Sequence, residues 1–301
     1  MSEVVSIQWF PGHMAKTRRL MKENLKMVDI VVEVRDARIP KSSRNPEIEK
    51  LVGDKPRMIV LNKCDEADPN ATSKWVDYYG GYGVKTVPID CKSGKGLNKV
   101  VLTAKEILKD KFDKLAEKGI TGRPMRMMIV GIPNVGKSSF INKMAGGKRA
   151  RVEDRPGVTR DKQWVKVEGG VELLDMPGVL WPKFEDPKVG EFLAFTGAIK
   201  DDILDIEHLA MRLLELMAKE YPNNLMERYN LKEDEIIDLD GYDLLMLVGR
   251  KRGFLISGGN INTERTAITV VDEYRSGKLG KISLEMPPQK NKPKKAEDFD
   301  D

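Results

Sequence analysis

The sequence predicts an α/β fold on a mainly parallel sheet, followed by an α-helical C-terminal region. Short apolar runs alternate with helix-length amphipathic patterns up to about residue 186, and beyond it only helical periodicity continues. The strand-length runs are DIVVEV (29–34), RMIVLN (57–62), KTVPI (85–89), MRMMIVG (125–131), QWVKV (163–167) and VELLD (171–175). Continuous apolar runs of this kind suit strands buried on both faces.

The helical patterns are justified in turn. Residues 14–27, MAKTRRLMKENLKM, put Met14, Leu20 or Met21, Leu25 and Met27 near one side and Lys16, Arg18, Arg19, Lys22 and Lys26 around the other, a basic amphipathic helix. Helical patterns cover 97–118 and 137–145 between strands, and 206–221, 240–249 and 263–275 after them. In 206–221, Ile206, Leu209, Leu213 and Leu216 or Met217 recur at helical spacing. The expected division is 1–186, an α/β domain with a basic N-terminal arm, then 187–285, helical, then 286–301, a proline- and charge-rich tail expected to be disordered.

Composition sets the bounds. A chain of 301 residues that is 40% hydrophobic has enough apolar content for two cores. With 52 basic and 47 acidic side chains the net charge is +5, so nucleic-acid binding would depend on local patches. Cys64 and Cys91 stand alone, which excludes a Cys-rich zinc module and gives no disulfide framework. No apolar run approaches the roughly 20 residues of a membrane span, and the N-terminus lacks the apolar core of a signal peptide. A soluble cytoplasmic protein is expected.

GIPNVGKS (131–138) matches G-x-x-x-x-G-K-S between a strand-like and a helix-like run, the context that motif requires. Gly131 and Gly136 let backbone N–H groups curl around phosphates at a helix N-terminus. The expected nucleotide contacts run through Asn134, Val135, Gly136, Lys137, Ser138 and Ser139; Lys137 reaches the β and γ phosphates and Ser138 ligates Mg²⁺. DMPG ends the last strand run, so Asp175 can hold Mg²⁺ through water while Pro177 and Gly178 adjoin the γ phosphate. PGVTRD (156–161) offers Thr159 to Mg²⁺ and the γ phosphate.

NKCD (62–65) has the form N-K-x-D. The Asp65 carboxylate can accept from guanine N1–H and the 2-amino group, which adenine cannot supply, so GTP and GDP are the expected ligands. Asn62 supports the loop and the guanine O6 side, and Lys63 lays its stem along the base. DCKSG (90–94) puts Asp90, Cys91 and Lys92 where a second base-contact loop is needed, with both cysteines as small packing residues. By itself NKCD reads as an Asn/Asp turn; the phosphate loop reverses that preference. Ras-type GTPases run phosphate loop, switch I, D-x-x-G, N-K-x-D, S-A-K. Here NKCD and DCK come first, so the chain reads as a circularly permuted P-loop GTPase domain, with 97–124 joining the former ends. The γ-phosphate sensor then lies close in sequence to the helical region.

WFPGHMAK (9–16), VRDARIP (34–40), GIPNVGKSS, DMPG and the permuted order together resemble the bacterial ribosome biogenesis GTPase A family over residues 5–285. The resemblance implies a GTPase that binds a late precursor of the large ribosomal subunit and its rRNA, promotes maturation and leaves after hydrolysis. A small-subunit assembly GTPase and a GTP-dependent RNA-binding switch with little catalysis are the alternatives. Met176 and Asp90 depart from the usual Thr and Ser, at positions whose side chains these roles do not need.

Val179 stands where Ras places its water-orienting Gln, and an aliphatic side chain cannot orient water. His13 is therefore the candidate catalytic residue with Lys137 and Thr159, histidine titrating near neutrality; the resemblance implies the same role. A packed structural turn and an rRNA contact remain open for it. Asn134 resembles the phosphate-loop Asn that helps hold K⁺ in potassium-activated GTPases, or is a polar loop residue. Basic clusters at 16–26, at Lys143, Lys148, Arg149 and Arg151, and at Arg250, Lys251 and Arg252 suit the phosphate backbone of folded RNA, with VVDEYRSGKLGK adding to that surface. No membrane or DNA partner is expected, and the protein is expected to be a monomer.

Overall fold

The computed structural model of the chain describes residues 11–146, 163–178, 180–181, 184 and 186–288, the side chains of 11–14 and 163 excepted. The strands are β1 (Ile30–Asp36), β2 (Arg57–Asn62), β3 (Thr86–Pro88), β4 (Met125–Val130), β5 (Gln163–Val167) and β6 (Val171–Asp175). They form one sheet in the order β3-β2-β1-β4-β6-β5, parallel except for β5, which pairs antiparallel with β6. The fourth strand of the chain thus lies centrally between β1 and β6, as a permuted sheet requires.

The helices are α1 (Pro11–Leu25), α2 (Pro46–Val52), α3 (Pro69–Gly80), α4 (Leu97–Ile107), α5 (Lys109–Glu117), α6 (Lys137–Met144), α7 (Pro187–Phe195), α8 (Ile206–Glu220), α9 (Pro222–Tyr229), α10 (Gly241–Lys251) and α11 (Thr263–Arg275). Side-chain alternation along β1 divides them between two faces. Ile30, Val32 and Val34 join a core with α4 and α6 that continues through Phe192 and Leu213 to Val248 and Val270 of the helical region. Val31 joins Met21 of α1 and Ile48 and Val52 of α2 on the other face, where Trp75 of α3 packs on Ile59 and Leu61.

Four helices, α2, α3, α7 and α9, were not expected. Three of them announce themselves by an Asn or Asp cap followed by proline: Asn45, Asp68 and Asp186 each accept from backbone N–H groups of the first turn. The pattern expected to be one helix over 97–118 is two, because the buried stripe Leu97, Val100, Ala104, Leu108 ends at Leu108 and α5 buries no residue. Met27 falls beyond α1 and is 39% exposed; the buried face is Thr17, Met21 and Asn24. β5 is an edge strand with Trp164 and Lys166 outward, not a strand buried on both faces.

The segment joining β3 to β4 is pinned at one carboxylate. Asp29, fully buried at the start of β1, takes Lys111 of α5 at 2.6 Å, Arg123 at 3.0 Å and the Arg126 amide at 2.9 Å. Burial alone would raise this carboxyl, but Lys111, the Arg126 amide and Arg123 outweigh it and hold it below the usual carboxylate range. Because the folded value is depressed, its stabilisation is present above the unfolded value of about 3.9 and is lost as pH falls through the folded one. Asp29→Asn is expected to cost about 1–2 kcal/mol in urea melts at pH 7, discounted for its half-exposed partners, with the difference narrowing toward pH 3.

Candidate functional site

The parallel strands carry the motifs to one edge of the sheet, since the loops after β2, β3, β4 and β6 all leave from carboxyl ends. The loops approach so closely that side chains are excluded: a Cβ on Gly131 would lie 2.4 Å from the Val34 carbonyl, and one on Gly136 would lie 2.2 Å from Asn62 Nδ2. A Cβ on Gly178 would sit 2.5 Å from Lys137 Nζ, so DMPG lies against the phosphate loop.

Lys137 is buried at the start of α6, and its ammonium donates to the Ile132 carbonyl at 2.7 Å. Burial pulls it down to about 8, against the pull of Asp175. Asp175 at the end of β6 is also buried, which pushes its carboxyl up to about 6 despite Lys137 and the Met176 amide. Its Oδ1 has no hydrogen-bond partner among the described residues. A polyphosphate beside Lys137 and a cation beside Asp175 would favour the charged form of each. Ser138 and Ser139 follow in the first turn of α6.

Asn62 ties three loops together: Nδ2 donates to the Val135 carbonyl at 2.9 Å, and Oδ1 accepts from the Cys91 amide at 3.4 Å. Lys63, in the left-handed region at φ 62°, places Nζ 3.2 Å from Asp36 while lining the cavity. Asp65 Oδ2 is 3.4 Å from Lys92 Nζ, and its Oδ1 is buried without a hydrogen-bond partner.

The Asp90 carboxylate accepts from the Lys92 and Ser93 amides at 2.7 and 3.1 Å, shaping a turn at the edge of the cavity, at a position where the expected contact needs no side chain. Val135 is 2% exposed and belongs to the core, leaving only its backbone to the site. Burial first, then Asp90 and Asp65, push the Cys91 thiol up to about 12, and Cys64 also rises, so neither is an activated nucleophile. Thr159 and Val179 lie outside the described residues. His13 stands in the first turn of α1, its side chain outside what is described.

A cavity of about 910 Å³ runs from Asp65, Asp90 and Lys92 past Asn134 and Ser139, and its far wall comes from the helical region: Gly197, Lys200, Asp201, Arg275 and Lys278. Sequence reasoning missed this wall. Asn134 Nδ2 donates to the Thr196 carbonyl at 2.8 Å, at the carboxyl end of α7. Arg275 donates to the Ala194 and Phe195 carbonyls and pairs with Asp201 at 2.7 Å. The expectation that Arg275 adds to a basic surface is therefore corrected, since it is spent on the fold. Lys251 pairs with Glu235 and Arg252 with Glu273, which removes most of that cluster too. Lys143 donates to the Lys92 carbonyl, and Lys148, Arg149 and Arg151 lie outside the described residues.

A sheet with this order, a phosphate loop on its central strand and N-K-x-D and D-x-x-G loops on the same edge define a circularly permuted P-loop GTPase. A family model described as 50S ribosome-binding GTPase matches residues 126–251, and Ribosome biogenesis GTPase A of Priestia megaterium is 49% identical over 290 residues, covering 96% of this chain and 100% of that protein. The chain belongs to the ribosome biogenesis GTPase A family. The Thermotoga maritima protein of that name is 32% identical, covering 93% of this chain and 95% of its own. GNP-bound YlqF from T. maritima superimposes with a TM-score of 0.64 at 30% identity, over 90% of this chain and 98% of that one. The protein hydrolyses GTP. Among the described residues no helix is long and apolar enough to cross a membrane.

Proposed function

We propose that this GTPase binds a late precursor of the large ribosomal subunit in the cytoplasm, as a monomer, promotes its maturation and leaves after hydrolysis. The observation that carries the coupling is the shared cavity: its nucleotide side is made by the base and phosphate loops and its other side by α11 and the end of α7. A partner seated on the helical region would thereby bear on the nucleotide. The domain division at residues 186 and 285 belongs to this reading, and so does the basic exposed side of α1 as an rRNA contact.

In this reading Asp65, Lys63 and the 90–92 loop hold guanine, and the phosphate loop with Pro177 and Gly178 holds the phosphates. The orphaned Asp175 Oδ1 fits a Mg²⁺ hydration shell, with Ser138 and Thr159 completing the protein ligands. When bound, the ion neutralises charge on the phosphate oxygens. With Nδ2 of Asn134 committed to Thr196, its Oδ1 is the acceptor left for K⁺. Lys137 and Thr159 stabilise the transferring phosphoryl group, and His13 orients the water or accepts its proton.

GTP turnover with and without large subunits, in K⁺ and in Na⁺, tests this. Stimulation by subunits and by K⁺ is expected, and Asn134→Ala should abolish the K⁺ response while GTP still binds. Turnover indifferent to both subunits and K⁺, or stimulated only by small subunits, would overturn the reading.

A further inference from the structure

We propose that Arg38 sets guanine selectivity from outside the nucleotide site, as the positioning residue of a charged relay that ends on Asp65. The inference rests on the reading of Asp65 as the guanine acceptor.

The relay is continuous. Asp65 Oδ2 faces Lys92 Nζ at 3.4 Å, and the same ammonium pairs with Glu66. Glu66 Oε2 in turn lies 3.0 Å from Arg38 Nη1, an ion pair by distance and charge, the oxygen having no hydrogen-bond partner among the described residues. Arg38, 1% exposed, is fixed on every side: Nε and Nη2 donate to the Asp36 carboxylate at 3.0 and 2.8 Å, Nη1 donates to the Tyr274 carbonyl at 3.2 Å, and its plane lies over the Tyr274 ring at 5.0 Å. Asp36 also holds Lys63 at 3.2 Å. The residues on either side of the Cys64–Asp65 pair, Lys63 and Glu66, are thus clamped by one buried Arg–Asp fork.

Burial decides which links matter. Lys92 is 64% exposed, so its pairing is screened, whereas Arg38, Asp36 and Glu66 are at most 5% exposed, and the buried end of the relay bears on Asp65 chiefly through the backbone it shares with Glu66, the next residue. A bidentate guanidinium–carboxylate pair there fixes direction as well as distance. Recognition of guanine by one carboxylate tolerates only about 0.5 Å of displacement, which makes the support as consequential as the contact.

The helical region holds the same loop from behind. At Gly277, φ +74°, a Cβ would lie 2.9 Å from Glu66 Cγ. The Ile282 amide donates to the Glu66 carbonyl and the Leu284 amide to the Arg38 carbonyl, both at 2.9 Å. Among the described residues, none of the hydrogen bonds or ion pairs of these groups runs to the phosphate loop. A merely structural role would therefore lower affinity for every nucleotide alike, whereas a positioning role lowers only what depends on the base.

The readout is the affinity ratio of GDP to inosine diphosphate, which differ only in the 2-amino group, together with KM and kcat for GTP. Gly277→Ala, which displaces Glu66 without altering a charge, and Arg38→Lys, which keeps the charge without the fork, are each expected to reduce the ratio about tenfold. KM should rise with kcat unchanged. An undiminished ratio in folded Gly277→Ala protein overturns the proposal, and that variant decides even where Arg38→Lys does not fold. Asp65→Asn separates the two layers. If it leaves the ratio intact, the reading of Asp65 fails and the proposal with it; if it abolishes the ratio while the other two variants keep theirs, only the relay fails.

Discussion

Replacing Asp65 by Asn is expected to weaken GDP binding by about 10²–10³-fold and to shift preference toward xanthine nucleotides. An ionised carboxylate accepts and never donates, which matches guanine N1–H and its 2-amino group. Asp65 Oδ1 has no protein donor among the described residues, and Oδ2 is held only by the exposed Lys92 at 3.4 Å. A hydrogen bond to a charged group is worth about 1.5–3 kcal/mol, and losing one while leaving the 2-amino group opposed by a donor, at about 1–3 kcal/mol more, accounts for that range. Asn presents one donor, which opposes the 2-amino group of guanine but pairs with the 2-oxo group of xanthine. Lys92 retains Glu66 as a partner in the variant, so the loop keeps part of its charge balance. Competition among guanosine, xanthosine and inosine diphosphates against a labelled nucleotide checks this, and an unchanged order of preference would sink the role.

His13→Ala is expected to leave GTP affinity intact while lowering large-subunit-stimulated turnover by about 10²–10⁴-fold, the contribution of a positioned acid or base. The fold gives this expectation a route. Met21 of α1 packs in one cluster with Leu174 and Met176, the latter being the second residue of DMPG. α1 is thus seated beside the strand end that carries DMPG, and His13 lies eight residues before Met21, about 12 Å along the helix. A partner that orders the start of α1 would set the imidazole relative to the water. Single-turnover hydrolysis with and without subunits, paired with equilibrium GTP binding, distinguishes the outcomes. Lost GTP binding would assign His13 to the fold, and unchanged turnover would remove it from catalysis. The Met176 side chain, at a position where the usual residue is Thr, is a core residue, 1% exposed, packed in the cluster that anchors α1.

Much of the site was legible because its motifs are local. GIPNVGKS, NKCD and DMPG each encode a strand end and a turn within eight residues, and their order alone revealed the permutation, which the central place of β4 repeats in space. The strands at 57–62, 163–167 and 171–175 match their expected bounds because apolar runs between turn residues mark both ends. The helices opening at Pro46, Pro69 and Pro187 were equally legible, since an Asn or Asp before proline is a start signal, but apolar periodicity over seven to twelve residues is too short to draw attention.

What the sequence by itself determined is therefore the class of chemistry, because phosphate and guanine recognition need particular residues at short fixed spacings. Only the tertiary structure decided which charges are free. Arg38 and Tyr274 are 236 residues apart, and Arg275 and Asp201 are 74 apart, yet each pair is in contact. Along the chain Arg252 and Arg275 look like surface charge. In the fold they are counter-ions and helix-end caps, since a charge removed from water must find a partner wherever the topology supplies one.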